Sequence, residues 1–176
     1  MSDVAAETAI CVGSVLFTDL VGFTEFNDAV GDAEALRVLE SQTLMAEAAT
    51  EARPEARIVK ELGDGLMIWF SVALDGLEGA IALMAAVSDA RSSGSFPLAM
   101  RMGLHHGPAT TRGRDLIGQT VNIAARVSAL AGPGELLISE DVVAACSGSI
   151  SRAVTPVGAV QVKGVEQPIW LHRYGA

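Results

Sequence analysis

The sequence has 176 residues, half of them hydrophobic, which is long and apolar enough for one domain with a buried core. A formal net charge of −9 and an aromatic content of 5% argue against a cationic nucleic-acid surface and against a stacking platform for single strands. The longest apolar stretch, around residues 79–87, is far shorter than the roughly 20 residues of a bilayer helix, so we expect no membrane span.

The N-terminal residues and the two cysteines do not indicate a particular chemistry. Residues 1–10 are polar and alanine-rich, and we predict a flexible lead-in before a single domain over residues 11–176. The lead-in has neither the basic leader nor the apolar core of a signal peptide. Cys11 and Cys146 lack metal-ligand spacing, so we interpret them as free thiols in a reducing cytoplasm.

Hydrophobic periodicity predicts alternating strands and helices. We predict strands at residues 12–18, 57–62, 66–70, 97–109 and 135–139, helices at 33–52, 76–92, 119–132 and 140–147, a loop at 112–118, and two closing strands within 158–175. In helix 33–52 we expect one broad apolar side formed by Leu36, Leu39, Leu44 and Met45. The alternation, with one tight hairpin at Gly-Asp-Gly, favours an α+β or mixed-sheet domain.

Two acidic residues follow or join apolar strands. Asp19 ends the first strand, and Asp64 lies in the hairpin turn LGDGL. If their strands are neighbours, the two carboxylates converge and can bind Mg²⁺ or Mn²⁺, with a backbone carbonyl such as that of Leu20 as a further ligand. The simpler readings stay open: Asp19 as a helix N-cap and Asp64 as an ordinary turn residue.

Other polar residues suggest recognition of a nucleotide. Lys60 interrupts an apolar strand four residues before Asp64, where it is either solvent-facing or a ligand contact. Asn122 and Arg126 are four apart on a predicted helix and share one face, which suits a ribose oxygen and a phosphoryl oxygen, or else a solvated stripe. Taken alone, Asp115 and Lys163 are surface residues. The adjacent His105 and His106 point to opposite sheet faces, and we interpret both as packing residues.

Five segments together resemble a known family. In order, they are FTDLVGFTEF, KELGDGLMIWF, MRMGLHHGP, DLIGQTVNIAARV and VQVKGVEQPIWLHRY. They resemble the signature segments of the class III nucleotidyl cyclase catalytic domain, with closest similarity to bacterial adenylate cyclases, over roughly residues 12–174. The resemblance implies a ferredoxin-like βαββαβ core with additional strands and helices.

The resemblance also implies a role for each matching residue. Asp19 and Asp64 match metal-binding aspartates that hold two divalent ions, Mg²⁺ or Mn²⁺. Lys60 and Asp115 match the pair that recognises adenine. In the same way, Asn122 matches the residue that orients the ribose, Arg126 the residue that stabilises the transition state, and Lys163 a contact to the terminal phosphates.

These roles imply an adenylate cyclase that converts ATP to cyclic AMP and pyrophosphate. In the family the metal aspartates come from one catalytic domain and the remaining site residues from another, so we expect a head-to-tail homodimer with two interfacial sites. The alternatives are a guanylate cyclase, a catalytically silent nucleotide-binding regulatory domain, and a metal-binding α+β domain of another purpose.

Overall fold

The computed structural model describes residues 8–146, residue 150 and residues 154–175. The strands are β1 (Thr8–Leu20), β2 (Arg57–Leu62), β3 (Gly65–Phe70), β4 (Met100–Arg112), β5 (Asp115–Ile117), β6 (Leu136–Ser139), β7 (Val154–Val160) and β8 (Ile169–Tyr174). The helices are α1 (Phe23–Val30), α2 (Asp32–Glu51), α3 (Ala73–Ser92), α4 (Gln119–Leu130) and α5 (Glu140–Ala145). None of these helices has both the length and the apolar character that crossing a membrane requires.

One mixed sheet organises the described part of the chain. Its strand order is β2-β3-β1-β4-β6-β8-β7, with β5 paired to β4 outside this path. The β4–β6 pair is parallel, whereas β1 pairs antiparallel with both β3 and β4. The first four strands of this order, with the helices between them, form the predicted ferredoxin-like βαββαβ core, and the remaining strands and helices extend it.

Alternating side chains give the sheet two buried faces, as expected for strands covered by helices on both sides. On one face, which we call the α2–α3 face, Leu16 and Ile68 pack with the residues of α2, α3 and α5. On the other, the α4 face, Val15 and Met67 pack with Ala124 of α4. Neighbouring residues of one strand therefore serve different cores.

The α4 helix lies close to strand β4 because Gly103 has no side chain. A Cβ atom at Gly103 would approach the backbone nitrogen of Ser128 to 2.0 Å, far inside van der Waals contact. Ile123, Ala124 and Val127 are buried on this side of the helix, which leaves Asn122 and Arg126 on the exposed side. The predicted Asn–Arg face therefore exists and points away from the sheet.

Several boundaries differ from the sequence prediction. Strand β1 begins at Thr8, so residues 8–10 belong to the sheet, while residues 1–7 of the predicted lead-in lie outside the described residues. Segment 115–117, predicted as loop, is strand β5, which pairs with β4 from Thr110 to Arg112. The predicted end of the last short helix, residue 147, also lies outside the described residues.

The predicted apolar side of the helix at 33–52 was wrong. Leu36 and Leu44 are 56% and 65% exposed, and Leu39 and Met45 are only partly buried. The buried side of α2 instead consists of smaller or polar residues: Ala35, Val38, Gln42, Ala46, Ala49 and Thr50. The prediction followed the positions of the large aliphatic residues. The structure instead packs α2 closely onto the sheet, and close packing favours small side chains at the contact.

Candidate functional site

The carboxylates of Asp19 and Asp64 lie at the same end of two paired strands. Thr18 is opposite Leu66 in the β1–β3 register. Asp19 is therefore near the end of β1 where Asp64 directly precedes β3. The Thr18 hydroxyl accepts a hydrogen bond from the Leu66 amide at 3.1 Å. A Cβ at Gly65 would lie 2.5 Å from the Thr18 carbonyl, so only glycine permits this approach. The predicted convergence of the two strand ends is confirmed.

The electrostatics of this pair favour a bound cation. Burial and then the charge of Asp19 raise the pKa of Asp64, while hydrogen bonds from its own amide and from the Leu20 amide, together with the Arg101 charge, lower it. A second positive charge between the two acids would relieve their repulsion. The Leu20 side chain is buried, and the Leu20 backbone N–H is hydrogen-bonded to the Asp64 carboxylate. The role of the Leu20 carbonyl oxygen as a metal ligand stays a prediction.

The donor set suits a hard divalent ion that keeps other ligands. Two carboxylates are oxygen donors of the kind Mg²⁺ and Mn²⁺ prefer. Within the described ranges, no three His, Cys, Asp or Glu side chains come together as a complete metal cage. The pair therefore fits ions whose coordination is completed by water and by substrate phosphate.

Asp19 does not act as the helix cap that the sequence left open. Helix α1 begins after Gly22, which has φ 78°, and no side chain caps it. The Asp19 carboxylate instead accepts two contacts from Arg101, at 2.7 Å from Nε and 2.6 Å from Nη2. Asp19 and Arg101 are directly opposite in the β1–β4 register.

Arg101 belongs to the segment MRMGLHHGP, but no role for it was predicted from the sequence. The residue type was a usable signal, because an arginine in an otherwise apolar strand is unusual. Charged side chains are rarely buried unless they have a partner. Arg101 and Asp19 line a cavity of about 160 Å³ together with Gly65 and the α4 residues Ala125 and Ser128. This cavity lies on the α4 face, beside the candidate metal ligands.

Lys60 and Asp115, which the sequence suggested for base recognition, form a direct ion pair. Lys60 Nζ donates to both carboxylate oxygens of Asp115, at 2.8 and 2.9 Å. The Leu116 amide donates to the same carboxylate at 2.8 Å. The hydrogen bond from Lys60 is the main reason why the pKa of Asp115 is lowered. Both side chains keep about two fifths of their surface exposed, at 38% and 43%, so a ligand can reach them.

A bulge in β2 turns Lys60 towards this partner. The β2–β3 register shifts between Ile58, which is opposite Ile68, and Lys60, which is opposite Met67. Ile58 and Ile68 pack on the α2–α3 face, whereas Met67 packs on the α4 face. Under strict alternation Ile58 and Lys60 would share one face, so the bulge re-aims the lysine.

Arg126 and Lys163 line one groove of about 320 Å³ between α4 and the chain that follows β7. Lys163 lies in a turn after β7, within the segment where we predicted the two closing strands. The turn is fastened by a hydrogen bond from the Gln119 side chain to the Gly164 carbonyl at 3.2 Å. Two positive side chains therefore face one groove, which suits an anionic group.

The two histidines have partners that the sequence did not reveal. His105 is 5% exposed, and its Nδ1 lies 2.8 Å from the Ser139 hydroxyl. His106 Nδ1 lies 3.0 Å from the buried Ser14 hydroxyl. Burial lowers the pKa of His105 to about 4 and also lowers that of His106. These contacts and this burial agree with the interpretation of both histidines as packing residues.

The candidate site falls into separate groups within one chain. Among the described residues, no hydrogen bond or ion pair links Asp19 or Asp64 to Lys60 or to the exposed face of Asn122 and Arg126. The carboxylate pair lies at the ends of β1 and β3, the Lys60–Asp115 pair bridges β2 and β5, and the Asn–Arg face belongs to α4.

Comparison with known sequences identifies related proteins. The family model for the adenylate and guanylate cyclase catalytic domain matches residues 4–173. The chain is 33% identical over 129 residues to the pH-sensitive adenylate cyclase MT1302 of Mycobacterium tuberculosis, and 35% identical over 124 residues to an adenylate cyclase of Streptomyces griseus. These alignments cover 73% and 70% of this chain but only 31% and 30% of those proteins. The chain thus spans about a third of the length of these relatives.

Comparison with solved structures agrees on the fold. The adenylyl cyclase CyaB from P. aeruginosa superimposes with a TM-score of 0.85 and 22% identity, covering 97% of this chain and 96% of that one. The guanylate cyclase domain of RhGC from Catenaria anguillulae, in complex with GTP, gives a TM-score of 0.82 and 19% identity, covering 97% of this chain and 99% of that one. Because both identities are low, this likeness concerns the fold alone.

Proposed function

Because this chain belongs to the adenylate and guanylate cyclase catalytic domain family, we propose that it is an adenylate cyclase that converts ATP to 3′,5′-cyclic AMP and pyrophosphate. The observation that carries this choice of substrate is the Lys60–Asp115 pair, whose donor and acceptor lie side by side at 2.8 Å and remain open to solvent. The adenylate cyclases among its relatives support the same choice.

The pair matches the edge of adenine and mismatches that of guanine. Lys60 donates to adenine N1, a bare acceptor, and Asp115 accepts from the N6 amino group. Guanine presents a donor at N1 and an acceptor at O6, so both contacts would be lost. Each mismatch costs about 1–3 kcal/mol, and two give discrimination on the order of 10- to 10⁴-fold. Since both side chains are partly exposed, we expect values in the lower part of this range.

The remaining residues are assigned to the reacting groups. Asn122 orients the ribose so that its 3′-oxygen bonds to the α-phosphorus, while the bond from that phosphorus to the bridging oxygen breaks and pyrophosphate leaves. Arg126 stabilises the charge that develops on the α-phosphoryl oxygens. Lys163, which shares a groove with Arg126, holds the terminal phosphates. The hydroxyl proton passes to water or to the substrate.

Asp19 and Asp64, with the Leu20 carbonyl, would hold two divalent ions, Mg²⁺ or Mn²⁺. When bound, these ions lower the pKa of the attacking hydroxyl and neutralise the triphosphate. Burial raises the pKa of Asp64, and the charge of Asp19 raises it further. This supports the assignment, because a bound divalent ion would stabilise the charged form of both carboxylates.

The site is proposed to be shared across a homodimer. The exposure of Asn122 and Arg126, on the side of α4 that points away from the sheet, supports this, because side chains placed there are accessible to a second copy of the chain. We also propose a cytoplasmic location, which suits a chain whose two cysteines are free thiols.

One assay tests the proposal. Purified protein is incubated with ATP or GTP and with Mn²⁺ or Mg²⁺, over a range of protein concentrations, and the cyclic nucleotide is measured. We expect cyclic AMP from ATP, little cyclic GMP, and a specific activity that rises with protein concentration. An Asp64→Ala variant should be inactive, whereas Asp89→Ala, at an exposed acid on α3, should retain activity. Absence of product with either ion at all concentrations would refute the enzyme proposal.

A further inference from the structure

A buried polar side chain of α2 contacts the turn that holds Asp64. Gln42 is 1% exposed and lies on the buried side of the helix, between the apolar residues Val38 and Ala46 one turn away on either side. Its Nε2 donates to the backbone carbonyl of Asp64 at 3.3 Å. A buried amide is costly unless it is hydrogen-bonded, so its placement here needs a reason.

Only the nitrogen of the Gln42 side-chain amide has a hydrogen-bond partner among the described residues, so packing alone does not explain a glutamine at this position. Gln42 Oε1 is buried and has no hydrogen-bond partner among the described residues. A leucine or methionine at this position would fill a similar volume without leaving an unpaired oxygen. The single bond to Asp64 is therefore the contact that distinguishes glutamine from an apolar residue here.

That bond fixes the backbone of a candidate metal ligand. The turn needs Gly63 at φ 67°, and on its other side the Leu66 amide is bonded to Thr18 of β1. Gln42 thus holds the turn from the α2 side while Thr18 holds it from the sheet. With its backbone fixed, Asp64 keeps its carboxylate beside Asp19 and the Leu20 amide.

We propose that Gln42 is a positioning residue for metal binding: through the Asp64 carbonyl it sets the direction of the Asp64 carboxylate. This inference rests on the proposed function, since it takes Asp64 as a metal ligand. Residues that orient a metal ligand from behind typically change metal affinity by about 10- to 100-fold when they are replaced.

The direct test measures metal affinity, not turnover. Mn²⁺ binding is followed by water-proton relaxation enhancement in the presence of 3′-deoxyATP, which lacks the attacking hydroxyl. For Gln42→Leu we expect the Mn²⁺ dissociation constant to rise about 10-fold. Thr50→Val is the matched control, because Thr50 is also a buried polar residue of α2, but its hydroxyl donates to the Glu47 carbonyl of the same helix and not to the turn. It should leave the constant unchanged. Thermal unfolding checks that each variant is folded, and Gln42→Met replaces Gln42→Leu if the latter does not fold.

Kinetics give a second, independent signature. A positioning role predicts that the Mn²⁺ concentration for half-maximal activity rises about 10-fold while kcat at saturating Mn²⁺ is largely recovered. A folded Gln42→Leu or Gln42→Met variant with wild-type Mn²⁺ affinity would overturn the inference. If the wild-type protein itself bound no Mn²⁺ in a manner that depends on Asp64, the metal site and the proposed function would fail, which is a different result.

Discussion

Replacing Lys60 by glutamate is the sharpest test of how this chain would select its substrate. The side chain donates to both oxygens of Asp115 in the free protein, and in the proposed complex it donates to adenine N1. Lys60→Glu removes that donor and places an acceptor opposite the N1 acceptor of adenine. Lys60→Met removes the donor alone and serves as the matched variant.

The magnitude follows from the type of contact and its exposure. A hydrogen bond from a charged donor contributes about 1.5–3 kcal/mol, and every 1.36 kcal/mol is a factor of ten in rate. We therefore expect kcat/KM for ATP to fall about 10- to 150-fold in Lys60→Met and further in Lys60→Glu, where two acceptors face each other. Folding should survive, because the Lys60–Asp115 pair is partly exposed and such pairs contribute about 0–1 kcal/mol.

The assay compares kcat/KM for ATP and for GTP in the wild type and in both variants at saturating Mn²⁺. The ATP-to-GTP ratio should fall in Lys60→Met, because adenine loses its contact, and fall more in Lys60→Glu, which can accept from guanine N1. Thermal unfolding confirms that the variants are folded. An unchanged ratio in both folded variants would refute the assignment of Lys60 to the base.

Further predictions concern assembly, packing and pH. Asp19→Ala and Arg126→Ala should each be inactive, yet an equal mixture should regain about a quarter of wild-type activity, because half the dimers carry one intact site; no recovery after mixed dimers are confirmed would contradict shared sites. Gly103→Ala should lower the free energy of unfolding by about 1–3 kcal/mol through its clash with Ser128, measured by urea denaturation; unchanged stability would contradict the close packing. His105 has a pKa lowered to about 4, so the unfolded state takes up a proton below pH 6.5 that the folded state does not. Stability should thus drop by about 2 kcal/mol from pH 7 to pH 5, and less in His105→Gln; equal slopes would contradict this.

Most of the order of the elements followed from the sequence because it depends on local patterns, but helix α1 (Phe23–Val30) was not predicted. The run of apolar residues ending at Asp19 and the Gly-Asp-Gly turn predicted two strand ends, and the structure has β1 and the β2–β3 hairpin there. Strand β5 was missed because three residues are too few for periodicity. Its existence depends on pairing with β4, a contact that no local pattern encodes.

The candidate site divides in the same way. Asp19, Asp64, Asn122 and Arg126 were identifiable from residue type and spacing, and the resemblance to a family assigned their roles. Arg101 and Gln42 were not identified. Arg101 could be recognised only from its position opposite Asp19 on the neighbouring strand. Gln42 could be recognised only from its hydrogen bond to Asp64, in a turn 22 residues away along the chain.

The sequence by itself determined the alternation of strands and helices, the acidic strand ends and the polar face of α4, because spacing along a strand or helix decides which side chains share a side. Only the tertiary structure decided which of those sides face each other. The bulge at Ile58 and Lys60 turns a lysine onto the face where Asp115 meets it, and Gly65 and Gly103 let backbones approach where any side chain would clash. These contacts join residues distant in the chain, and their geometry exists only once the sheet is assembled.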